Sequence, residues 1–163
     1  MRRFLCSAAV LALLSMFLPT AQAQVGLTGG AARDFIKISG NWEELGSPLV
    51  GLAYDVPLND AGDKGLTFGL RASQDNDLIQ DYTLEAWRVY PALEIFAGAE
   101  AVLLDQDIVG EYRLLGGLRG GARFDAMGLP FEVSAHWSVG AEDTQLSGVF
   151  FGLRDAVGGG EEE

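Results

Sequence analysis

The sequence holds one cysteine, Cys6, and one histidine, His136. Cys6 lies in an N-terminal stretch expected to be removed, so the mature chain offers no disulfide, thiol nucleophile or thiolate metal site. A single histidine excludes a two-histidine metal centre. No second long apolar run follows the N-terminal one, which excludes a transmembrane helix further along. No helical period emerges either. The many Gly-x-Gly pairs do not sit between a strand and a helix, so they signal tight packing and not a phosphate loop. Positive charge is scarce, with 11 Lys and Arg against 23 Asp and Glu. That balance excludes nucleic acid, whose binding needs a basic footprint.

What is present begins with an export signal. Met1-Arg2-Arg3 is followed by a largely apolar run from Phe4 to Leu18 and by Ala21-Gln22-Ala23, the small-x-small form of a cleavage site. Residues 1–23 are expected to be cleaved. The mature chain of 140 residues then carries nine Lys and Arg against 23 acids, a net charge of −14. Its length suits one domain, expected over 24–157, with a disordered acidic tail over 158–163.

Beyond the signal, period-2 alternation recurs at short intervals, broken by Gly, Pro, Asn and Asp. Eight strands are predicted: 33–42, 48–57, 65–73, 82–90, 92–104, 109–124, 129–140 and 145–154. Several match the ~9–11 residues that cross a bilayer on a tilt. The connectors alternate in character. Acidic ones ("EELGS", "QDNDLIQD", "LDQDI", "GAEDT") join strands 1–2, 3–4, 5–6 and 7–8. An even number of strands in this order can close without an unpaired edge. The predicted fold is an all-β, eight-stranded antiparallel up-and-down transmembrane β-barrel.

The two faces of these strands differ. One row is aliphatic, with Ile36, Ile38, Leu70, Leu84, Ile95, Leu114, Leu118 and Val133 among its members. Aromatics cluster at its two ends: Trp42, Tyr82, Tyr112 and Trp137 beside the acidic connectors, and Tyr54, Tyr90, Phe124 and Phe131 at the opposite end. Such belts suit lipid headgroup interfaces, because the rings are apolar in body and mostly polar at the tip. Arg88 also falls on this row, near a strand end, where it can snorkel to the interface. The opposite row sets Lys37, Arg71, Arg113, Arg119, Arg123 and Arg154 against Asp55, Glu85, Glu94, Glu100, Glu111 and Glu132, with small residues between them. Six charges of each sign can pair, as buried charges must. They suit the lumen of an eight-stranded barrel, which is just wide enough for side chains to fill. The alternation by itself also fits a soluble periplasmic barrel that carries an apolar ligand, with the faces exchanged.

The export signal and eight alternating strands resemble the small outer-membrane barrels of Gram-negative bacteria, the class of OmpX and the OmpA membrane domain. Within it, "SGNW" (Ser39–Trp42) followed by "VGLAYDVPL" (Val50–Leu58) is similar to the start of the YfaZ family. The resemblance implies an outer-membrane location, a structural or interaction role with a closed lumen, and contact with lipid, lipopolysaccharide and the barrel assembly machinery. Such barrels usually end on a terminal Phe or Tyr that the machinery reads. Here the chain runs past Phe151 into "RDAVGGGEEE".

Two constellations bear on chemistry. His136, Ser138 and nearby Glu142 resemble the His-x-Ser of the lipid A deacylase PagL, itself an outer-membrane barrel, which would imply a lipid A-modifying hydrolase. The same parity places His136 and Ser138 in the lumen, however, where a hydrogen-bonded network histidine is the plainer reading. The acidic connectors hold Glu43, Glu44, Asp75, Asp77, Asp81, Asp105, Asp107, Glu142 and Asp143, with no Lys or Arg. They read as a solvated rim or as a weak Mg²⁺ or Ca²⁺ site, since hard cations take oxygen ligands. No cofactor is otherwise expected.

Overall fold

The structure, a computed structural model, describes residues 23–73, 79–105 and 111–157. The strands are β1 (Gln24–Ile38), β2 (Asn41–Pro57), β3 (Lys64–Ser73), β4 (Ile79–Tyr90), β5 (Leu93–Leu104), β6 (Arg113–Ala126), β7 (Leu129–Val139) and β8 (Gln145–Val157). Each pairs antiparallel with the next, and β8 returns to β1 between Val25↔Val157 and Lys37↔Gln145. The sheet therefore closes and leaves no edge.

Register fixes the tilt. A hydrogen-bonded row runs from Glu44 through Phe35, Ser147, Trp137, Leu118, Ala99, Leu84 and Phe68 to Tyr54. It leaves β2 at Glu44 and returns to β2 at Tyr54, ten residues away. A stagger of this size over eight strands, with ~3.3 Å per residue and ~4.8 Å between strands, inclines the strands by about 40° to the barrel axis.

Three hairpins turn on two residues. Ser39–Gly40 (φ 50° and 88°) and Met127–Gly128 (φ 56° and 76°) both take the left-handed region at each position. These are the turns whose twist matches that of the strands they join. The third is Pro91–Ala92, between the paired Tyr90 and Leu93.

The Ser39–Gly40 turn corrects the sequence reading of the first hairpin. β1 begins at Gln24 and not at residue 33, and the stretch "EELGS" belongs to β2 instead of forming a loop. Glu43 and Glu44 are therefore strand residues, opposite Ile36 and Phe35. The faces of β1 are exchanged as well. Ala32, Asp34 and Ile36 are buried inside, whereas Arg33 and Phe35 face out. Ile36 and Ile38 thus leave the outer row, and Lys37 leaves the lumen set. Near its turn β1 mixes apolar and charged residues on both parities, so alternation there is uninformative. Pairing to β2 on one side and β8 on the other settles it. β6 likewise starts at Arg113, which leaves Glu111 and Tyr112 outside the strand.

Elsewhere the two rows fall on their expected sides, although Leu70, in register with Tyr82 on the outer row, is only 1% exposed. Leu114 and Leu118 are 67% and 68% exposed on the outer face, with Leu84, Ile95, Val133, Val149 and Phe151 also exposed there. Of the predicted aromatics, Trp42, Tyr82, Tyr90, Tyr112 and Trp137 are exposed. Phe124 and Phe131 stack at 5.9 Å between centroids. Tyr54 lies on the outer row in register with Phe68 but is packed down to 6% exposure. Inside, the adjacent strand leaves no room for a side chain at Gly98: a Cβ there would lie 2.0 Å from the Leu84 carbonyl oxygen of β4.

Candidate functional site

The lumen is built in three tiers, each from inward positions on several strands. At the end of the acidic connectors lies an apolar plug of Ile36, Ile79, Val102, Leu104, Leu115 and Leu146, with Ile38 and Leu45 packed against it. Val102 and Leu104 share parity with Glu94 and Glu100, and Leu115 shares it with Arg113. The inner row of the strands thus turns from charged to aliphatic at one end. The sequence reading missed this plug because it sorted each whole strand into one polar and one apolar face.

Below the plug sits His136 on β7. Its Nε2 lies 3.2 Å from Asp34 Oδ1 and its Nδ1 3.1 Å from Glu100 Oε1. Ser138 donates its hydroxyl to Glu100. Arg71 pairs with Asp81 at 2.6 Å, and its guanidinium stands 5.0 Å from the Phe150 ring centroid. A small cavity of about 10 Å³ adjoins Asp34, Arg71, Asp81 and His136, about the size of one water molecule. Asp81 was expected at the rim; it is a buried lumen residue because β4 starts three residues earlier than predicted. Asp34 was missed for the complementary reason. Val25, Leu27, Ala31 and Phe35 share one parity, and that signal would have placed Asp34 inside had the strand been started at Gln24.

The third tier is an arginine–carboxylate lattice. Arg119 binds Glu132 and approaches Glu85 at 3.3 Å. Arg123 reaches three carboxylates, Glu85, Glu94 and Glu132, the last through Nε at 2.9 Å. Arg154 holds Asp55 at 2.6 Å and stands 3.7 Å from Glu132. Phe96 packs against it, with Arg123 4.1 Å and Arg119 5.5 Å from its centroid. Charge-assisted forks of this kind give each buried carboxylate its hydrogen-bond donors. Below the lattice the barrel opens into clefts lined by Gln24, Asp55 and Trp87 on one side and by Glu94, Arg123 and Arg154 on the other.

The pairing is therefore less symmetrical than six against six. Among the described residues, five arginines (Arg71, Arg113, Arg119, Arg123, Arg154) meet seven buried or half-buried inward carboxylates (Asp34, Asp55, Asp81, Glu85, Glu94, Glu100, Glu132), together with His136. Glu111 is not one of them. Its side chain is 62% exposed at the rim, 3.3 Å from Arg113.

The acidic rim is also tied down more than its composition implies. Arg33 binds Glu44 at 2.8 Å, Lys37 binds Asp143 at 2.7 Å, and Arg113 reaches Glu142. The cations come from strand residues, which a count restricted to the connectors cannot see. The hydrogen bond and charge of Lys37 hold the Asp143 carboxyl below its ordinary range. Asp105 lies at the end of β5, while Asp75, Asp77 and Asp107 lie outside the described residues.

The proposed His136–Ser138–Glu142 arrangement does not assemble. Ser138 donates to Glu100 and not to His136, and Glu142 sits on the rim turn beside Arg113. A serine nucleophile needs its base within hydrogen-bond reach and a route for substrate, yet Ser138 is fully buried beneath the plug. Asp81, Glu100 and His136 do bring ligand-type atoms within 4.8 Å of one another. Each is already engaged, however, by Arg71, Ser138 or Asp34. The trio thus belongs to the internal network.

No protein-family model and no curated protein matches the chain. The similarity to the YfaZ family therefore rests on Ser39–Trp42 and Val50–Leu58 alone. Solved structures are informative about the fold. The attachment invasion locus protein Ail of Yersinia pestis, in complex with the heparin analogue sucrose octasulfate, aligns with a TM-score of 0.50 at 17% identity, covering 82% of this chain and 97% of Ail. Neisserial surface protein A (NspA) aligns with a TM-score of 0.52 at 12% identity, covering 83% and 99%. The chain has the fold of the small eight-stranded outer-membrane barrels.

Proposed function

We propose that this protein is a closed outer-membrane barrel whose role is structural or interactive, with no continuous pore and no catalysis. The observation that carries the reading is the pair of faces. Two-thirds of Leu114 and of Leu118 is exposed while Arg119, Glu85 and Glu132 are buried within. A soluble barrel carrying an apolar ligand needs the reverse, since an encircling apolar surface of this extent in water would associate. The filled lumen supports the second half: an apolar plug above a salt-bridged lattice leaves no aqueous path.

Folded into lipid vesicles and run unheated on a denaturing gel, the protein should migrate apart from the boiled sample and resist protease in its barrel portion. A single band that ignores heating, from protein that stays in the aqueous phase, sinks the membrane reading. Lipid A of unchanged mass in cells with and without the protein is the result expected on the non-catalytic reading.

Lipopolysaccharide is the partner class we assign to the rim. In an even-stranded barrel both termini face the periplasm, so the acidic connectors face outward, toward an anionic leaflet that divalent cations bridge. With Glu44, Glu142 and Asp143 already paired, bridging by Mg²⁺ or Ca²⁺ should be weak. Binding to lipopolysaccharide vesicles should fall when a chelator is added, and less so after Asp75, Asp77, Asp105 and Asp107 are changed to Asn. Binding that is indifferent to Mg²⁺ in the unaltered protein removes the cation from the account.

A further inference from the structure

Nine Lys and Arg lie among the described residues, and seven of them are salt-bridged to a carboxylate. The two that are not, Lys64 and Arg88, are direct register partners across β3 and β4. Both are exposed. Their neighbours fix the direction: Thr67↔Glu85 is the buried inward pair, and Phe68↔Leu84 belongs to the outer row, the face that Lys64 and Arg88 share. In a chain with 23 acidic residues, two cations thus stand side by side on the apolar surface with no acid between them. Like charges directly opposite in a sheet repel.

The surroundings suggest what offsets that repulsion. Leu58 and Ile95, 58% and 49% exposed, flank the pair. The backbone N–H of Leu58 donates to the Lys64 carbonyl at 2.9 Å, and Ile95 stands opposite Arg88. The Arg88 guanidinium lies 5.6 Å from the Tyr90 ring centroid, which keeps it at the level of the aromatic belt. Asp63, next to Lys64 in sequence, accepts a hydrogen bond from the Asn59 side-chain amide.

We infer that Lys64 and Arg88 bind the phosphate of an anionic glycerophospholipid in the leaflet on the side of the chain termini, a reading that rests on the barrel being embedded in a membrane. The guanidinium can take two phosphate oxygens in parallel, and the ammonium adds a mobile point charge. Leu58 and Ile95 give the acyl chains an apolar bed on either side. A zwitterionic headgroup brings its own ammonium into the same space, so the anionic lipid is preferred.

The test uses the full chain inserted in vesicles of phosphatidylcholine mixed with phosphatidylglycerol of the same acyl chains. Insertion is first established by the heat-dependent gel shift, and retained lipids are then read by native mass spectrometry. At about 1 kcal/mol per cation near the headgroups, the unaltered protein should retain phosphatidylglycerol about thirtyfold over phosphatidylcholine. The K64Q/R88Q variant should fall to within about threefold. Arg33→Gln, which removes an exposed cation at the other end, should keep the full preference, and millimolar inorganic phosphate should not displace the lipid. Equal retention by the inserted unaltered protein and K64Q/R88Q overturns the inference, as does an equal loss in Arg33→Gln. Displacement by inorganic phosphate would show an anion site and no lipid specificity. Failure to insert, seen as a missing gel shift, sinks this inference together with the membrane reading.

Discussion

Leu118→Arg should cripple insertion into lipid vesicles, while Arg119→Lys should insert nearly as well as the unaltered chain. The two positions are adjacent and face opposite ways. Leu118 is 68% exposed and Arg119 is 4% exposed. Leu118 also sits near the middle of the hydrogen-bonded row that spirals from Glu44 at the acidic end to Tyr54 at the other. It is six residues from both Tyr112, just before β6, and Phe124 on β6. A cation on the lipid face at mid-membrane costs about 2–4 kcal/mol, falling toward zero near the interfaces. An Arg at this position is too far from either belt to reach headgroups easily. Arg119→Lys keeps the lumen charge but loses the planar fork that meets Glu85 and Glu132, so it should insert and then unfold at lower denaturant. Vesicle-folding yield measured by the gel shift separates the two. Equal or reversed effects on yield would mean that the faces are inside out.

The second large effect is expected at Arg123. Its three donors engage Glu85, Glu94 and Glu132, and Arg123 is the one cation in contact with Glu94 among the described residues. Arg123→Gln leaves Glu94 without a cation and takes one from each of the other two. Removing one member of a buried ion pair costs about 3–5 kcal/mol, because the charge left behind is uncompensated. Urea unfolding in lipid should show a loss of that order. The double variant Arg123→Gln with Glu94→Gln should recover part of it, since the orphaned charge is then gone. A loss under about 1 kcal/mol would mean that water from the lower clefts already solvates these groups and the lattice is not a stabilising unit.

Much of this was legible in the residues, and the reason is local. Period-2 alternation between Leu114, Leu118 and Phe124 on one parity and Arg113, Arg119 and Arg123 on the other is a property of consecutive residues, and a strand turns it directly into two faces. The same holds for Glu85, Glu94, Glu132 and Arg154, which all face inward as their neighbours imply. Composition and patterning alone thus determined the strand number, the up-and-down order, the polar interior and the apolar exterior.

Tertiary structure decided what depends on which strand lies beside which. On β1 both parities mix charge and hydrocarbon near the turn, so pairing to β2 and β8 is what turned Ile36 inward and Lys37 outward. The apolar plug gathers six residues from five separate strands whose heights match only once the ten-residue stagger is set. The pairs Arg33–Glu44 and Lys37–Asp143 join β1 to a neighbouring strand and to a distant turn. Lys64 and Arg88, 24 residues apart in the chain, became a pair only through the β3–β4 register. In each case the interaction energy resides in a distance across the barrel, and closure of the sheet is what fixes such distances.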